Sequence, residues 1–137
     1  GLPRYLVGPG LVVHNAYGSG GARLPKHLRS KMRQIKNQDA RGGHINKGNT
    51  GVSGAVSRGD AMRLGRSWVG PNARMTSSGV GMISEDGLRM FRVPTAKRGI
   101  DPLTGEPYSR TGFQANFQSR AQKGGLWEKN VHLDVSP

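Results

Sequence analysis

Apolar and polar residues alternate strictly in two stretches near the end of this sequence. Phe113, Ala115 and Phe117 alternate with Gln114, Asn116 and Gln118, and Val131, Leu133 and Val135 alternate with Asn130, His132 and Asp134. A period of two predicts strands with one apolar and one polar face each. The link Arg120–Gly125 ends in Gly-Gly, which predicts a hairpin. Paired about that turn, the even-numbered residues share a face, with His132 near Gln114 and Asn116 near Asn130. A second hairpin is predicted over Val80–Val93, turning at Ser84-Glu85-Asp86-Gly87, where Gly accepts a positive φ. Arg89 and Arg92 flank Phe91 there, Pro94 is expected to close the strand, and Lys97-Arg98 follow. Asp101–Pro107 is rich in turn residues, and Tyr108–Gly112 leads into the first alternating strand.

Upstream the period changes. Leu28, Met32 and Ile35 fall at helical spacing after Pro25, surrounded by Lys26, Arg29, Lys31, Arg33 and Lys36. This predicts a helix with a narrow apolar stripe in a basic surround. Ser57–Ser67 reads as a short helix with Ser57 or Asp60 as N-cap and Ala61, Leu64 and Trp68 facing inward. Between them, Gln38–Gly54 is Gly- and Asn-rich and is expected to be a loop. Its glycines do not fit the Walker phosphate loop, which requires Gly-Lys-Ser/Thr opening a helix. His44 with Asn46 faintly suggests a His-Asn nuclease motif. The expected fold is therefore α+β: N-terminal helices packed on a small twisted antiparallel β-sheet, with a basic helical part over 22–67 and a β-rich part over 68–137. Residues 1–21 end in a Gly/Ser-rich run and read as a leader outside the compact domain.

Composition sharpens this. With 22 Gly and 34% hydrophobic residues in 137, the core must be small. No apolar run is long enough to cross a membrane, so stable membrane insertion is not expected. The opening GLPRYLVGPGLVV lacks the pattern of a complete signal peptide. The absence of Cys excludes disulfides, thiolate metal sites and cysteine nucleophiles. The charge balance is the strongest compositional fact: 21 Lys and Arg against 8 Asp and Glu give +13. Such an excess favours a polyanionic partner, nucleic acid first and anionic lipid second. It is uneven. Gly21–Lys47 carries eight basic residues and one acid, whereas the chain from Asp101 onward carries four of each. The basic material thus lies upstream of the polar strand pair.

Two resemblances add expectations. VGPGLVVHNA resembles the C-terminal end of Hint, or intein-like, processing domains, in which a final Asn cyclises and breaks the chain with help from the preceding His. The matching residues are His14 and Asn15; Ala16 follows where a splicing intein has a nucleophile, so the resemblance implies release rather than splicing. WVGPNAR (Trp68–Arg74), DGLRMFRVPTAK (Asp86–Lys97), TGFQANFQSR (Thr111–Arg120) and NVHLDV (Asn130–Val135) resemble the C-terminal toxin modules of bacterial polymorphic toxins, of the Rhs and contact-dependent inhibition types. The resemblance implies an effector domain over 22–137, released from a larger secreted carrier polypeptide. It would act in the cytoplasm of a target bacterium and be neutralised by a cognate immunity protein. Many such modules are ribonucleases by prediction, some with a barnase-like fold.

Metal-independent RNA cleavage needs a base for the 2′-hydroxyl, cations or amides for the phosphorane, and an acid for the leaving oxygen. It needs no cofactor. Histidine suits proton transfer near neutral pH, and Arg and Lys suit the anionic transition state. His132 is the candidate base or acid, with Asp134 pointing the same way to orient it or raise its pKa. Arg110, Thr111 and Arg120 are candidates for the scissile phosphate. Arg89, Arg92 and Lys97 are second candidates. Gln114, Asn116 and Asn130 are candidates to hydrogen-bond a base or phosphate, and Trp127 or Tyr108 to stack on a base. The expected substrate is tRNA or rRNA. Two other classes stay open: an ADP-ribosyltransferase using NAD through Arg66, Thr76-Ser77-Ser78 and Glu128, and a non-catalytic module binding nucleic acid or membrane. Four histidines at 14, 27, 44 and 132 give no metal-ligand pair at helical spacing.

Overall fold

A computed structural model describes residues 23–41 and 50–137. The Hint-like segment, with His14 and Asn15, and the His44/Asn46 pair lie outside the described residues. Two helices, α1 (Lys26–Ala40) and α2 (Arg58–Val69), pack on a six-stranded sheet. Its strands are β1 (Thr50–Val56), β2 (Arg74–Met75), β3 (Gly81–Ile83), β4 (Arg89–Ala96), β5 (Phe113–Ser119) and β6 (Lys129–Val135), in the order β1-β6-β5-β4-β3-β2. The fold is mixed α+β and the sheet is open.

Helix α1 starts where the sequence places it, because Pro25 cannot continue a helix backwards and its carbonyl accepts from the amides of Leu28 and Arg29, each at 2.9 Å. Its apolar stripe, Leu28, Met32 and Ile35, is buried. Helix α2 is capped by Ser57, whose hydroxyl oxygen accepts from the Asp60 amide at 3.1 Å. It stops at Gly70, with φ of 76°. Both helices cover the odd-numbered face of the β5–β6 pair, where Ala115, Phe117, Val131, Leu133 and Val135 are fully buried. Trp68 packs edge-on against Phe117 at 6.0 Å, and its indole N–H donates to the carbonyls of Met90 (3.1 Å) and Gln118 (3.2 Å). Trp68 is thus core, as its helical spacing suggests, and its polar atom is satisfied. Gly65 sits mid-helix because a Cβ there would overlap the Phe91 ring, itself fully buried.

Three expectations are corrected. The sheet is not purely antiparallel: β1 runs parallel to β6, pairing Gly51 with His132 and Val52 with Leu133. Much of the expected loop at 38–54 is regular structure, since α1 continues to Ala40 and a strand begins at Thr50 inside the part expected to be helical. The low side-chain content of TGVSGAV hides that strand from any periodicity test; from Gly51 to Val56 only Val52 and Val56 are buried. Finally, Pro94 does not close β4. The register shifts between Arg92 and Thr95, and pairing with β5 resumes at Thr95 and Ala96, so the proline sits in an irregularity where no ladder donor is needed.

Candidate active site

Because both helices occupy one side of the sheet, the even-numbered residues of β5 and β6 share the other. The predicted antiparallel pairing is present, with Asn116 opposite His132, Gln114 opposite Asp134 and Gln118 opposite Asn130. Across the sheet this aligns a transverse row: Gly51, His132, Asn116, Arg92 and Gly81. The Gly51 position opens onto free space, so no β1 side chain shields His132 on that flank.

His132 is not the exposed residue that an outer sheet face suggests; only 5% of it is accessible. The segment between β4 and β5 folds back over it as a small flap. Its frame is the Lys97 amide on the Gly112 carbonyl (2.8 Å), the Tyr108 amide on the Gly99 carbonyl (3.1 Å) and a bridge between Ile100 and Pro107. Beneath the flap lies a cleft of about 140 Å³ lined by Gly51, Asp101, Thr104, Tyr108, Gln114, His132 and Asp134. That is below the ~300 Å³ lower end for ligand pockets, so a phosphate fits and a whole nucleotide requires the flap to move.

The hydrogen bonds fix the state of the imidazole. Gln114 Nε2 donates to the Tyr108 carbonyl at 2.7 Å, so Gln114 Oε1, 2.7 Å from His132 Nδ1, must accept. Nδ1 therefore carries the proton. Nε2 presents its lone pair, met only by a long contact of 3.4 Å from Asn116 Nδ2, which also donates to Asn130 Oδ1 at 3.1 Å. Burial pushes the His132 pKa down to about 4, with the Lys97 ammonium pushing the same way and the Asp134 carboxylate opposing both. The ring is neutral at pH 7. It has a defined tautomer, with an unprotonated Nε2 that can take up a proton.

The structure sorts the other candidates. Gln114, Asn116 and Asn130 join His132 in one network, and Arg92 stands exposed in the same row. Lys97 lies over the Tyr108 ring at 5.1 Å and close enough to act on His132. Asp134 does not orient the imidazole, a task taken by Gln114; its carboxylate accepts from the Arg110 backbone amide at 3.3 Å, while the Arg110 residue is exposed. Thr111 is held locally, its hydroxyl donating to the Phe113 carbonyl at 3.0 Å. Arg120 is the clearest departure from expectation. Its guanidinium donates to the carbonyls of Gly87 (2.7 Å) and Gly125 (2.9 Å) and stacks on Trp127 at 3.9 Å. It pins two turns together, and four residues of strand, about 13 Å, separate it from Asn116. Trp127 shares that remote position. Arg89 lies on the helix side, over the Trp68 ring at 4.4 Å. With Arg120, Asp39, Asp86 and Ser119 it lines a separate cleft of about 490 Å³.

Two of the three groups named for NAD chemistry lie far apart. Thr76 follows β2 and Glu128 precedes β6, four strand positions or roughly 19 Å apart. Among the described residues no group of three or more His, Asp or Glu side chains gathers as a metal site. Tyr108, a candidate for stacking, does line the cleft, whereas the flap residues Asp101 and Thr104, and the Gly51 flank, belong to it but carry no sequence signal for it. They reach His132 through a long fold-back and a parallel pairing across some 80 residues. Comparison with protein families, curated proteins and solved structures finds no match to this chain.

Proposed function

We propose that this chain is a metal-independent endoribonuclease, acting as an interbacterial effector inside a target cell and restrained by an immunity protein. The observation that carries the enzymatic reading is a neutral, tautomerically fixed His132 whose Nε2 lone pair faces the polar row containing Asn116 and Arg92, with Lys97 beside it. The effector context rests on the resemblance of four segments to polymorphic-toxin modules.

In this reading the flap lifts and a ribose 2′-hydroxyl replaces Asn116 as the partner of Nε2. Nε2 takes its proton as the 2′-oxygen attacks phosphorus. Lys97, Arg92 and the Asn116 amide hold the crowded, anionic phosphorane. The imidazolium so formed is a strong acid in this buried site, and it returns the proton to the departing 5′-oxygen. The bond broken is P–O5′. The products are a 2′,3′-cyclic phosphate and a 5′-hydroxyl, and the histidine ends neutral.

The test is to incubate the purified protein with total bacterial RNA in EDTA, beside His132→Ala. Fragments ending in cyclic phosphate from the wild type alone are expected, with kcat/KM falling as pH drops through about 4. EDTA-sensitive cleavage, cleavage of DNA alone, or NAD-dependent label transfer would overturn it.

A further inference from the structure

The cationic surface with the most regular spacing lies on the opposite side of the sheet from His132. On α1, Lys26, Arg29, Arg33 and Lys36 are all exposed. They recur at steps of three and four residues, so they form one stripe, about 15 Å long at 1.5 Å per residue. Among the described residues none of the four is paired with a carboxylate. Arg29 donates a long hydrogen bond to the Leu24 carbonyl, at 3.4 Å. Lys31 stands apart, turned to the Ser53 carbonyl of β1 at 2.7 Å. Leaving four like charges side by side opposes folding by their mutual repulsion, and nothing in the packing of α1 requires them.

We infer that this stripe is a docking surface for the phosphate backbone of RNA, separate from the cleft that holds His132. The choice of RNA rests on the ribonuclease reading. An anionic membrane is the competing partner, and the burial of α1 argues against it. A helix lying on a bilayer sinks its apolar face among the lipids. The apolar face of α1, Leu28, Met32 and Ile35, is at most 5% exposed and belongs to the core. No exposed large hydrophobic residue sits on α1; those among the described residues are Val80, Ile100, Leu103 and Leu126. What α1 offers is charge at regular intervals without a greasy anchor, which matches a polyphosphate chain.

The placement has a length consequence. From the outer face of α1, around the β1 edge, to the opposite face of the sheet is roughly 20 Å, the thickness of a helix plus one layer spacing. At about 3.4 Å per nucleotide along a strand, a substrate needs on the order of six nucleotides to engage both. A dinucleotide reaches only one.

The experiment measures binding of a uniformly 2′-O-methylated RNA, which this chemistry cannot cut, across a salt series. Wild type, the quadruple variant Lys26→Gln/Arg29→Gln/Arg33→Gln/Lys36→Gln and His132→Ala are compared, with circular dichroism to confirm folding. Should the quadruple variant fold poorly, Lys26→Gln/Lys36→Gln serves in its place. The expected result is a log–log salt slope shallower by about 3 in the quadruple variant, or about 1.4 in the double, at roughly 0.7 per contact on a single strand. His132→Ala should leave the slope unchanged. An unchanged slope in the stripe variants overturns the inference. So does tight binding to phosphatidylserine vesicles that is lost with the stripe while RNA binding persists. The two readings fail separately: RNA bound through the stripe but never cut sinks the enzyme alone, and RNA cut with a stripe-independent salt slope sinks the docking surface alone.

Discussion

Falling pH should destabilise this protein through His132 in a range where an ordinary histidine would have little effect. Unfolded, the imidazole titrates near 6.5; folded, burial and Lys97 hold it near 4, against the opposing pull of Asp134. Above pH 6.5 the ring is neutral in both states and contributes nothing to pH dependence. Below it the unfolded chain takes up a proton that the folded protein refuses, so stability is lost as pH falls. The loss is about 2 kcal/mol by pH 5 and saturates near 3 kcal/mol below the folded pKa, at about 1.4 kcal/mol per unit. Against a typical 5–15 kcal/mol for a domain, this is a large share. Carboxylates titrate in the lower part of the same window, so the wild type alone does not isolate the effect. The assay is therefore urea denaturation at a series of pH values for wild type and His132→Asn, whose amide can still donate to Gln114. The variant carries a constant cost for its smaller side chain, but the gap between the two curves should narrow by about 2 kcal/mol from pH 7 to pH 5. Parallel curves, or an NMR titration of His132 near 6.5, would refute the buried neutral state and the base assigned to it.

Gly65→Ala should destabilise the fold by about 1–3 kcal/mol, seen as a lowered Tm, because the added methyl must displace the buried Phe91 ring. A Tm equal to wild type would mean that the helix–sheet contact is looser than described. Gln114→Leu should shift the His132 ring nitrogens from a pure Nδ1–H signature toward a mixture of tautomers in ¹⁵N NMR, and cost about 1–3 kcal/mol for the donor left unsatisfied. A tautomer ratio that does not change would remove Gln114 from its orienting role.

Local signals carried much of this fold. The alternation in β5 and β6 gave their pairing and the shared face of His132, Gln114 and Asn116, because period two leaves no freedom once a core claims one side. The stripe of α1 and the cap of α2 were equally readable. What escaped the sequence is what depends on distant partners. The strand TGVSGAV has too few large side chains to announce itself, and only its pairing with β6 makes it regular. Pro94 looked like a terminus because its irregularity is set by the neighbouring strand. Within the site, chemical type alone made Arg120 and Thr111 attractive, yet both spend their hydrogen bonds on backbone carbonyls. The burial of His132 comes from a flap most of whose residues, Asp101 to Pro107, read only as turns.

The strand that bears His132 is the last in chain order, yet its place is between β1 and β5. A polypeptide emerging from its N-terminal side therefore cannot complete the sheet between β1 and β5 until that strand arrives. Until then β1 lacks the strand it pairs with, the His132 imidazole is absent and the helices lack part of the apolar surface they cover. Completion of the sheet and placement of the imidazole therefore coincide as one late event in the making of the chain.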